Sequence, residues 1–399
     1  MKVLLVSSGS GSRGGGEIYL YYLAAGLARL GHRVVSLCSE TPRMVELARR
    51  LCEFAEVRRA DFLHTYDRPT RCLGAVMDWR QQRYCAALFQ TILPDVIHIN
   101  QQVAEDGLDL MLAAQRSGLP FLSTIHIVHS ANLLGARFGR TRDLITDKVL
   151  RKVNGTYVAV AKRGRQDLLT RFAFLSPSQV AVVLNGVLFP PTHYATDAAR
   201  KRRQMNPADT VIGSVGRLET QKAPSFALRV VASLVRQGLP IKYVWIGDGP
   251  LRREFEAEAR HLGVVDRVSL TGWRDDVSAC LQKLDVLLMP SNFEGLPLAL
   301  LEAMGAGLCC CVSDVDGMAE VIEHGKTGFL CRTGDVQAWR QQIESLVINP
   351  ALRAEISNGA RDFARARFTA DRMASDTLKV YESVIQAKAH EISRQGQTS

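Results

Sequence analysis

Short apolar runs alternate with longer helical patterns along the whole chain, and this rhythm predicts the fold class. In the first half, runs rich in Val, Ile and Leu predict strands at residues 2–7, 33–38, 95–100, 120–125, 156–161 and 180–184. In the second half, similar runs predict strands at residues 210–215, 241–246, 267–271, 285–289 and 308–313. Because the runs are continuously apolar, we expect an α/β fold whose parallel sheets are covered by helices on both faces.

A polar, proline-containing stretch at residues 191–207 interrupts this rhythm and is interpreted as a linker. It separates an N-terminal Rossmann-like domain, residues 1–190, from a C-terminal domain, residues 208–368. A length of 399 residues suits two domains better than one. We therefore expect two facing, doubly wound parallel-sheet domains with a cleft between them, and ligand-binding loops at the carboxyl ends of the strands.

Composition narrows the class of protein. The chain is 47% hydrophobic and 23% charged, which is ordinary for a globular protein. No apolar run approaches the roughly 20 residues that span a bilayer, and the first apolar run is too short for a signal peptide. Nine cysteines are present without metal-ligand spacing. We therefore expect a cytoplasmic protein.

Positive charge is concentrated in the N-terminal half. Residues 1–190 carry 24 Lys and Arg against 15 Asp and Glu, a net charge of +9 out of the total of +10. Much of this excess lies at residues 137–171, where apolar side chains such as Phe138 and Leu144 are interleaved with the cations. Such a surface suits an anionic acceptor or the anionic inner face of a membrane, to which the protein would bind peripherally. Solvated helix faces are the alternative, and no nucleic-acid motif accompanies the charge.

The segment at residues 290–307, PSNFEGLPLALLEAMGAG, places two glutamates, Glu294 and Glu302, around the start of a helix. Pro297 stands where the first helical turn would begin, a position that tolerates proline. The free backbone N–H groups of residues 295–299 would attract a phosphate, and the two carboxylates can accept hydrogen bonds from sugar hydroxyls. This combination indicates a nucleotide-sugar site, and two surface glutamates on a solvated helix are the alternative.

The neighbouring motifs extend this pattern. The run GSVGRLETQKAP at residues 213–224 carries Arg217 and Lys222 just after a strand, and SDVDGMAEVI and HGKTGFL follow downstream. In this order and spacing the chain resembles, over nearly its whole length, the family-4 retaining glycosyltransferases of the GT-B fold (glycosyl transferase group 1). The resemblance implies that the C-terminal domain binds a nucleotide sugar, and that a last helix, at about residues 369–386, returns to the N-terminal domain.

The resemblance also implies an activity. The enzyme would move a sugar, with retention of configuration, from a nucleoside-diphosphate donor to a hydroxyl of a glycan or lipid-linked acceptor in cell-envelope or extracellular polysaccharide synthesis. A UDP-sugar is favoured, and GDP is the main rival nucleotide. No cofactor and no metal is expected, because GT-B enzymes bind the diphosphate with cations and a helix end. The literal D-x-D at Asp314 and Asp316 is therefore discounted, although Asp316-Gly317 departs from the two glycines that are usual in the family.

The site residues are carried over motif by motif. Arg217 and Lys222 would stabilise the negative charge that grows on the leaving diphosphate. Glu294 would bind donor-sugar hydroxyls, and Glu302 the ribose. His126 would lie at the reacting centre, where a histidine can polarise a hydroxyl or assist its deprotonation; His129 is a second candidate. The catalytic set is thus His126, Arg217, Lys222 and Glu294, and the donor-binding set is Gly15, Gly16, Arg217, Lys222, Trp273, Arg274, Glu294, Gly295, Leu296, Pro297, Leu298 and Glu302.

The glycine-rich loop at residues 9–17, GSGSRGGGE, supports two interpretations. It contains a literal G-x-G-x-x-G dinucleotide-binding fingerprint, at Gly9, Gly11 and Gly14. It also resembles the family's GGxE loop, with Gly15 and Gly16 as the glycine pair and Glu17 displaced by one residue (GGGE). The second interpretation is favoured, because no residues for hydride transfer accompany the first.

Three other functions remain open from the sequence. A nucleotide-sugar 2-epimerase would share two Rossmann-like domains but need no acceptor. A non-catalytic peripheral binding module would have lost the cation and glutamate set, which is present here. An NAD-dependent dehydrogenase would use the glycine loop for its dinucleotide.

Overall fold

The computed structural model describes residues 1–9, 11, 14–190 and 209–396, so the linker predicted at residues 191–207 lies outside the described residues. The chain forms two compact units. The first consists of Met1–Gly186 and Ala370–Ser399, and the second of Val187–Thr369. The boundary between the units falls between Gly186 and Val187.

The first unit contains a parallel sheet with the strand order β3-β2-β1-β4-β5-β6-β7. Its strands are β1 (Lys2–Ser7), β2 (Arg33–Ser39), β3 (Glu56–Ala60), β4 (Val96–Val103), β5 (Phe121–Ile127), β6 (Thr156–Ala159) and β7 (Val180–Val182). Its helices are α1 (Gly15–Arg29), α2 (Val45–Leu51), α3 (Cys72–Met77), α4 (Trp79–Ile92), α5 (Leu108–Ser117), α6 (Gly139–Leu150), α7 (Lys162–Arg171) and the last helix of the chain, Ala370–Gly396. Val3 of β1 pairs with Val34 on one side and Val96 on the other. The order of the strands therefore reverses between β1 and β4, where open α/β sheets bind ligands.

The second unit repeats this architecture with the strand order β10-β9-β8-β11-β12-β13. Its strands are β8 (Thr210–Val215), β9 (Ile241–Ile246), β10 (Val268–Leu270), β11 (Val286–Met289), β12 (Cys309–Ser313) and β13 (Phe329–Cys331). Its helices are α8 (Pro224–Arg236), α9 (Arg252–His261), α10 (Val277–Leu281), α11 (Leu298–Gly305), α12 (Asp316–Val321), α13 (Val336–Ile348) and α14 (Pro350–Arg367), so the last helix of the chain is α15. Here the strand order reverses between β8 and β11.

Each unit is built around its own hydrophobic core. The continuously apolar strands are buried on both faces, and β12 shows why Cys309, Cys310 and Cys311 suit such a strand: all three thiols are buried as small apolar groups. Helices turn one face to the sheet, as α8 does with Phe226 and Val230. Burial of each such large side chain stabilises the fold by about 1.5–3 kcal/mol.

The prediction of an α/β fold with two doubly wound parallel sheets is confirmed. Two strands were missed, β3 and β13, and both lie at the edge of a sheet. Edge strands are often short or partly polar. Strand β3 has the sequence EVRRA and β13 has the sequence FLC, so neither contains the long apolar run on which the prediction relied. Strand β4 extends to Val103, three residues beyond the predicted end at residue 100, and the last helix continues to Gly396, beyond the predicted end at about residue 386.

Candidate active site

Glu294 lies in the loop between β11 and α11 of the second unit, and it is buried. Helix α11 begins at Leu298 with Pro297 as its N-cap, so the helix starts one residue later than predicted. Glu302 lies one turn inside α11 and is half-buried, while Leu298 is buried. Leu296, in the loop before the helix, is also buried.

The start of α11 offers backbone N–H donors. Pro297 carries no N–H, so the row of donors predicted at residues 295–299 is interrupted at that residue. Within the described ranges, no backbone hydrogen bond uses the N–H groups of Leu298 and Ala299, because the first amides of a helix lack an intrahelical acceptor. Together with the helix dipole, these amides make the start of α11 attractive to an anion.

The ammonium group of Lys222 contacts the carboxylate of Glu294. Lys222 ends the 3₁₀ turn Thr220–Lys222 that follows β8. The adjacent Gln221 donates from Nε2 to Oε2 of Glu294 at 3.3 Å, and its carbonyl accepts from the N–H of Asn292 at 2.8 Å. The side chains of Lys222 and Glu294 are only 19% and 6% exposed, so water screens their attraction less than at a surface. The structure thus brings one predicted cation and one predicted carboxylate together.

Gly216 makes room for the lysine that reaches Glu294. The residue has φ 148°, in the region that favours glycine. A Cβ at Gly216 would lie only 3.0 Å from Cε of Lys222. The glycine at the end of β8 therefore lets the Lys222 side chain pass close to the backbone.

Arg217, the second predicted diphosphate-binding cation, lies in a different setting. Its guanidinium pairs with Glu219, with Nη2 2.7 Å from Oε1, and its side chain is 64% exposed. Lys222 is therefore fixed against Glu294, whereas Arg217 extends into solvent from the same loop.

Trp273 and Arg274 lie in the loop that follows β10. Nε1 of Trp273 donates to Oδ1 of Asp275 at 3.1 Å. The guanidinium of Arg274 binds both carboxylate oxygens of Asp276, at 2.7 and 2.6 Å, and this contact raises the pKa of Arg274. Both side chains are thus engaged within their own loop.

The loop after β12 joins the loop that carries Glu294. The backbone N–H of Glu294 donates to Oδ2 of Asp316 at 2.9 Å, and the N–H of Gly317 donates to the carbonyl of Gly295 at 3.0 Å. Asp316 has φ 42°, in the left-handed region. Among the described residues, no group of three or more His, Cys, Asp or Glu side chains is arranged to hold a metal ion.

In the first unit, Gly15 and Gly16 begin helix α1. A Cβ at Gly16 would clash with the side-chain amide of Gln102, so this position accommodates a protein side chain. A Cβ at Gly14 would clash with the carboxylate of Glu17, which is buried. The lack of a side chain at Gly14 therefore makes room for the Glu17 carboxylate at the start of α1.

His126 lies near the end of β5 and is buried. Its Nε2 is 2.7 Å from Oδ1 of Asn100, and the ring of Tyr19 packs edge-on against the imidazole with centroids 4.8 Å apart. Burial lowers the pKa of His126 to about 4, so the ring is neutral at neutral pH. His129, in the loop after β5, is half-buried, and its carbonyl accepts from Nη1 of Arg171 at 3.1 Å.

The sequence interpretation gave no site role to three residues that contact the predicted ones: Asn100, Gln221 and Asp316. Asn100 was available as a polar residue in the buried run DVIHIN, since a buried amide in a strand needs hydrogen-bond partners. Gln221 is adjacent to Lys222 in the sequence, but it belongs to no motif that could have identified it as a site residue. Asp316 had a signal in the sequence, because it departs from the glycine pair that the resemblance implied and because aspartate can adopt the left-handed conformation.

Two family models match this chain. The model described as "Glycosyl transferases group 1" matches residues 195–363, and the model described as "Glycosyltransferase Family 4" matches residues 13–187. The two matches follow one another along the chain and together cover most of its length.

Two curated relatives show how far the similarity extends. The Vi polysaccharide biosynthesis protein VipC/TviE of Salmonella typhi is 30% identical over 217 residues, which are 52% of this chain and 38% of that protein. The chain thus spans less than two thirds of the length of this relative. The UDP-Gal:alpha-D-GlcNAc-diphosphoundecaprenol alpha-1,3-galactosyltransferase of Escherichia coli is 25% identical over 293 residues, 70% of this chain and 73% of that protein.

A solved structure shares the fold. The structure of Anabaena Alr3699/HepE in complex with UDP-glucose matches with a TM-score of 0.77 at 18% identity, over 96% of this chain and 100% of that chain. No helix in the described part of the chain is both long and apolar enough to cross a bilayer.

Proposed function

The chain belongs to the family-4 glycosyltransferases (glycosyl transferases group 1), and on this basis we propose that it transfers a sugar from a UDP-sugar to a hydroxyl of a glycan or lipid-linked acceptor in polysaccharide synthesis. The observation that carries the proposal is the shielded contact between Lys222 and Glu294 beside the start of α11. A cation, a sugar-binding carboxylate and unpaired helix amides occur together at this place, as a nucleotide sugar requires.

Each group at this place has a distinct role in the proposal. The N–H groups of Leu298 and Ala299 and the ammonium of Lys222 bind the diphosphate, and Lys222 stabilises the charge that develops on it. Glu294 accepts hydrogen bonds from hydroxyls of the donor sugar, and Glu302 from the ribose. Arg217 reaches the diphosphate from solvent, because an exposed guanidinium can reorient when an anion binds.

The proposed transfer retains the configuration at the anomeric carbon and uses no metal. The bond between that carbon and the β-phosphate oxygen breaks as the acceptor oxygen attacks from the same face. The acceptor proton passes to the departing phosphate, so the products are the glycosylated acceptor and the nucleoside diphosphate. Lys222 and the helix amides supply the positive charge that a metal would otherwise provide.

A lipid-linked acceptor is supported by the relatives and by the surface of the first unit. The name of the Salmonella relative refers to polysaccharide biosynthesis, and that of the Escherichia relative to a diphosphoundecaprenol substrate. Around helix α6, Leu133, Phe138 and Leu144 are exposed large apolar side chains, and the guanidinium of Arg137 lies 5.0 Å from the centre of the Phe138 ring.

Helix α3, which packs against α6, leads into a second exposed apolar group. Met77 and Trp79 are exposed, and Arg80 and Arg83 lie 5.5 and 5.9 Å from the centre of the Trp79 ring. Exposed apolar side chains beside cations suit an anionic lipid surface. We therefore include peripheral binding to anionic membranes in the proposal.

A thermal-shift experiment with UDP, GDP, ADP, their common sugars and NAD tests the proposed donor. A ligand that binds only the folded state raises the melting temperature, by an amount that corresponds to about 2.7 kcal/mol at a concentration 100 times Kd. We expect UDP and a UDP-sugar to stabilise the wild-type protein, and Lys222→Ala to reduce the shift. Stabilisation by NAD alone would overturn the assignment and return the glycine loop to the dinucleotide interpretation.

A further inference from the structure

The side chain of Asn100 connects two predicted site residues of the first unit. Asn100 lies in β4 and is fully buried. Its Nδ2 is 2.8 Å from the carbonyl oxygen of Gly16, and its Oδ1 is 2.7 Å from Nε2 of His126. Its own carbonyl accepts from both the N–H and the hydroxyl of Ser8, at 3.1 and 2.7 Å. Both the backbone and the side chain of Asn100 are therefore held in place.

The Gly16 contact fixes the orientation of the amide. A carbonyl oxygen can only accept hydrogen bonds, so the NH₂ group of Asn100 must face Gly16 and Oδ1 must face His126. Because Oδ1 also can only accept, Nε2 of His126 must carry the hydrogen. In a neutral ring this leaves the lone pair on Nδ1, and none of the hydrogen bonds among the described residues uses that nitrogen.

We propose that Asn100 is a positioning residue for His126: it fixes the Nε2–H tautomer, so that Nδ1 accepts a hydrogen bond from a hydroxyl of the sugar substrate. The inference rests on the proposed function and extends it to a residue that the sequence analysis did not consider. It also chooses between two roles for His126. An imidazole whose pKa lies near 4 is a weak base at neutral pH, so His126 orients the hydroxyl rather than removing its proton.

The groups around His126 keep the ring neutral. Tyr19 packs against it from α1, and burial raises the pKa of Tyr19 to about 12. His98 lies nearby in β4, and its pKa is lowered to about 3, mainly by burial. Neither group is charged at neutral pH. Replacement of Asn100 by aspartate would place a carboxylate at Nε2 and raise the pKa of His126.

The tautomer is measured directly by long-range ¹H–¹⁵N NMR of the full-length protein labelled with ¹⁵N-histidine, with His126→Gln used to assign the signals. We expect the Nε2–H form in the wild type and a mixture of tautomers in Asn100→Leu, while the signals of His98 stay unchanged. A wild-type His126 in the Nδ1–H form, or an unchanged tautomer in folded Asn100→Leu, would overturn the proposal. This readout needs no substrate, so it is separate from the test of the glycosyltransferase activity.

Kinetics with a UDP-sugar supply a second readout. We expect Asn100→Leu to lower kcat/KM by about 10- to 100-fold. In Asn100→Asp we expect the Nε2–H tautomer to be kept. Because the carboxylate raises the pKa of His126, protonation of Nδ1 should remove activity as pH falls from about 7 to 5. We expect the wild type to stay active over this range. A pH profile of Asn100→Asp that matches the wild type would contradict the positioning role. If no UDP-sugar is turned over, the proposed function fails while the NMR result still decides the role of Asn100.

Discussion

Oδ2 of Asp316 accepts a hydrogen bond from the backbone N–H of Glu294 at 2.9 Å. The N–H of the next residue, Gly317, donates to the carbonyl of Gly295 at 3.0 Å, so two hydrogen bonds join the loop after β11 to the start of α12. Asp316 makes this contact with φ 42°. Asp316 thus holds the loop that carries the candidate sugar-binding carboxylate, Glu294.

Substitutions of Asp316 should separate the hydrogen bond from the backbone strain. Asp316→Ala loses the acceptor but keeps a Cβ in the left-handed region, whereas Asp316→Gly loses the acceptor and relieves the strain. We expect Asp316→Ala to be less stable than Asp316→Gly by about 1 kcal/mol, and Asp316→Asn, which keeps both an acceptor and tolerance of this conformation, to be closest to the wild type. Urea denaturation measures the three differences in the free energy of unfolding.

Equal stabilities of the alanine and glycine variants would show that the backbone at Asp316 relaxes out of the left-handed region. Asp314→Ala is the matched control, because Asp314 is exposed and precedes the contact by two residues. We expect that substitution to change the free energy of unfolding by no more than about 0.5 kcal/mol.

The sequence predicted the two sheets because their central strands are continuously apolar, and the order of elements followed from the alternation with helices. It missed β3 and β13 because an edge strand does not need an apolar run. It placed the start of α11 one residue early. The same local sequence is compatible with a proline at the N-cap and with a proline at the first helical position, so the sequence alone does not distinguish the two. Helix boundaries depend on the cap geometry, which the apolar pattern does not record.

The sequence located Glu294 and Lys222 as separate motifs but could not show that their side chains meet. That contact depends on the turn after β8 and on the φ of Gly216. The sequence also marked Asn100 as a buried amide that needs hydrogen-bond partners, but it could not show which residues those partners are. Long-range hydrogen bonds of this kind link residues from different strands, and no spacing rule in one sequence predicts them.

The shielded contact between Lys222 and Glu294 predicts a coupling in stability. Lys222→Met leaves a buried carboxylate without its cation, which costs about 3–5 kcal/mol. We expect the double variant Lys222→Met/Glu294→Gln to be more stable than Lys222→Met, because no unpaired charge remains. Urea denaturation of the single and double variants measures this coupling.

Activity should respond differently from stability. Both Lys222→Met and the double variant should lose at least about 100-fold in kcat, since an electrostatic contact to the transition state is absent from each. Lys326→Met is the control, because the Lys326 side chain is 78% exposed and its partner Glu323 lies 4.0 Å away. A double variant with near-wild-type turnover would refute the role assigned to Lys222 and Glu294.

His98 predicts a loss of stability in acid. Burial lowers its pKa to about 3, and its ring nitrogens lie 2.7 Å from the hydroxyls of Tyr381 and Thr124. An unfolded histidine has a pKa of about 6.5, so below this pH the unfolded chain binds a proton that the folded chain does not. The free energy of unfolding therefore decreases by about 1.4 kcal/mol for each unit by which the pH is lowered. We expect His98→Gln to flatten this decline between pH 6.5 and 4.5, measured by urea denaturation, and exposed His261→Gln to leave it unchanged. Parallel slopes for the wild type and His98→Gln would contradict the prediction.

Asp106 predicts the opposite dependence at higher pH. Burial raises its pKa to about 8, and its Oδ2 lies 2.7 Å from the hydroxyl oxygen of Ser8. Between about pH 4 and 8 the unfolded chain loses the proton that folded Asp106 keeps, so stability falls as pH rises. The asparagine in Asp106→Asn does not ionise, so this variant has no such pH dependence at this position. Its free energy of unfolding, measured by urea denaturation, should therefore increase relative to that of the wild type from pH 5 to pH 8. Asp61→Asn, at an exposed position, is the control; an advantage of Asp106→Asn that does not grow with pH would refute the prediction.

The exposed apolar side chains of the first unit predict binding to anionic membranes. Phe138 and Trp79 each lie beside arginines, so insertion of the rings and attraction of the cations should act together. We expect the wild-type protein to sediment with vesicles that contain anionic lipid at low salt. It should be released at high salt, because the charge attraction is screened. The double variant Phe138→Ser/Trp79→Ser should bind these vesicles more weakly. Ile348→Ser, an exposed apolar residue of the second unit, should bind as the wild type does. Equal binding to neutral vesicles would show that the cations take no part, and unchanged binding of the double variant would place the membrane contact elsewhere on the protein.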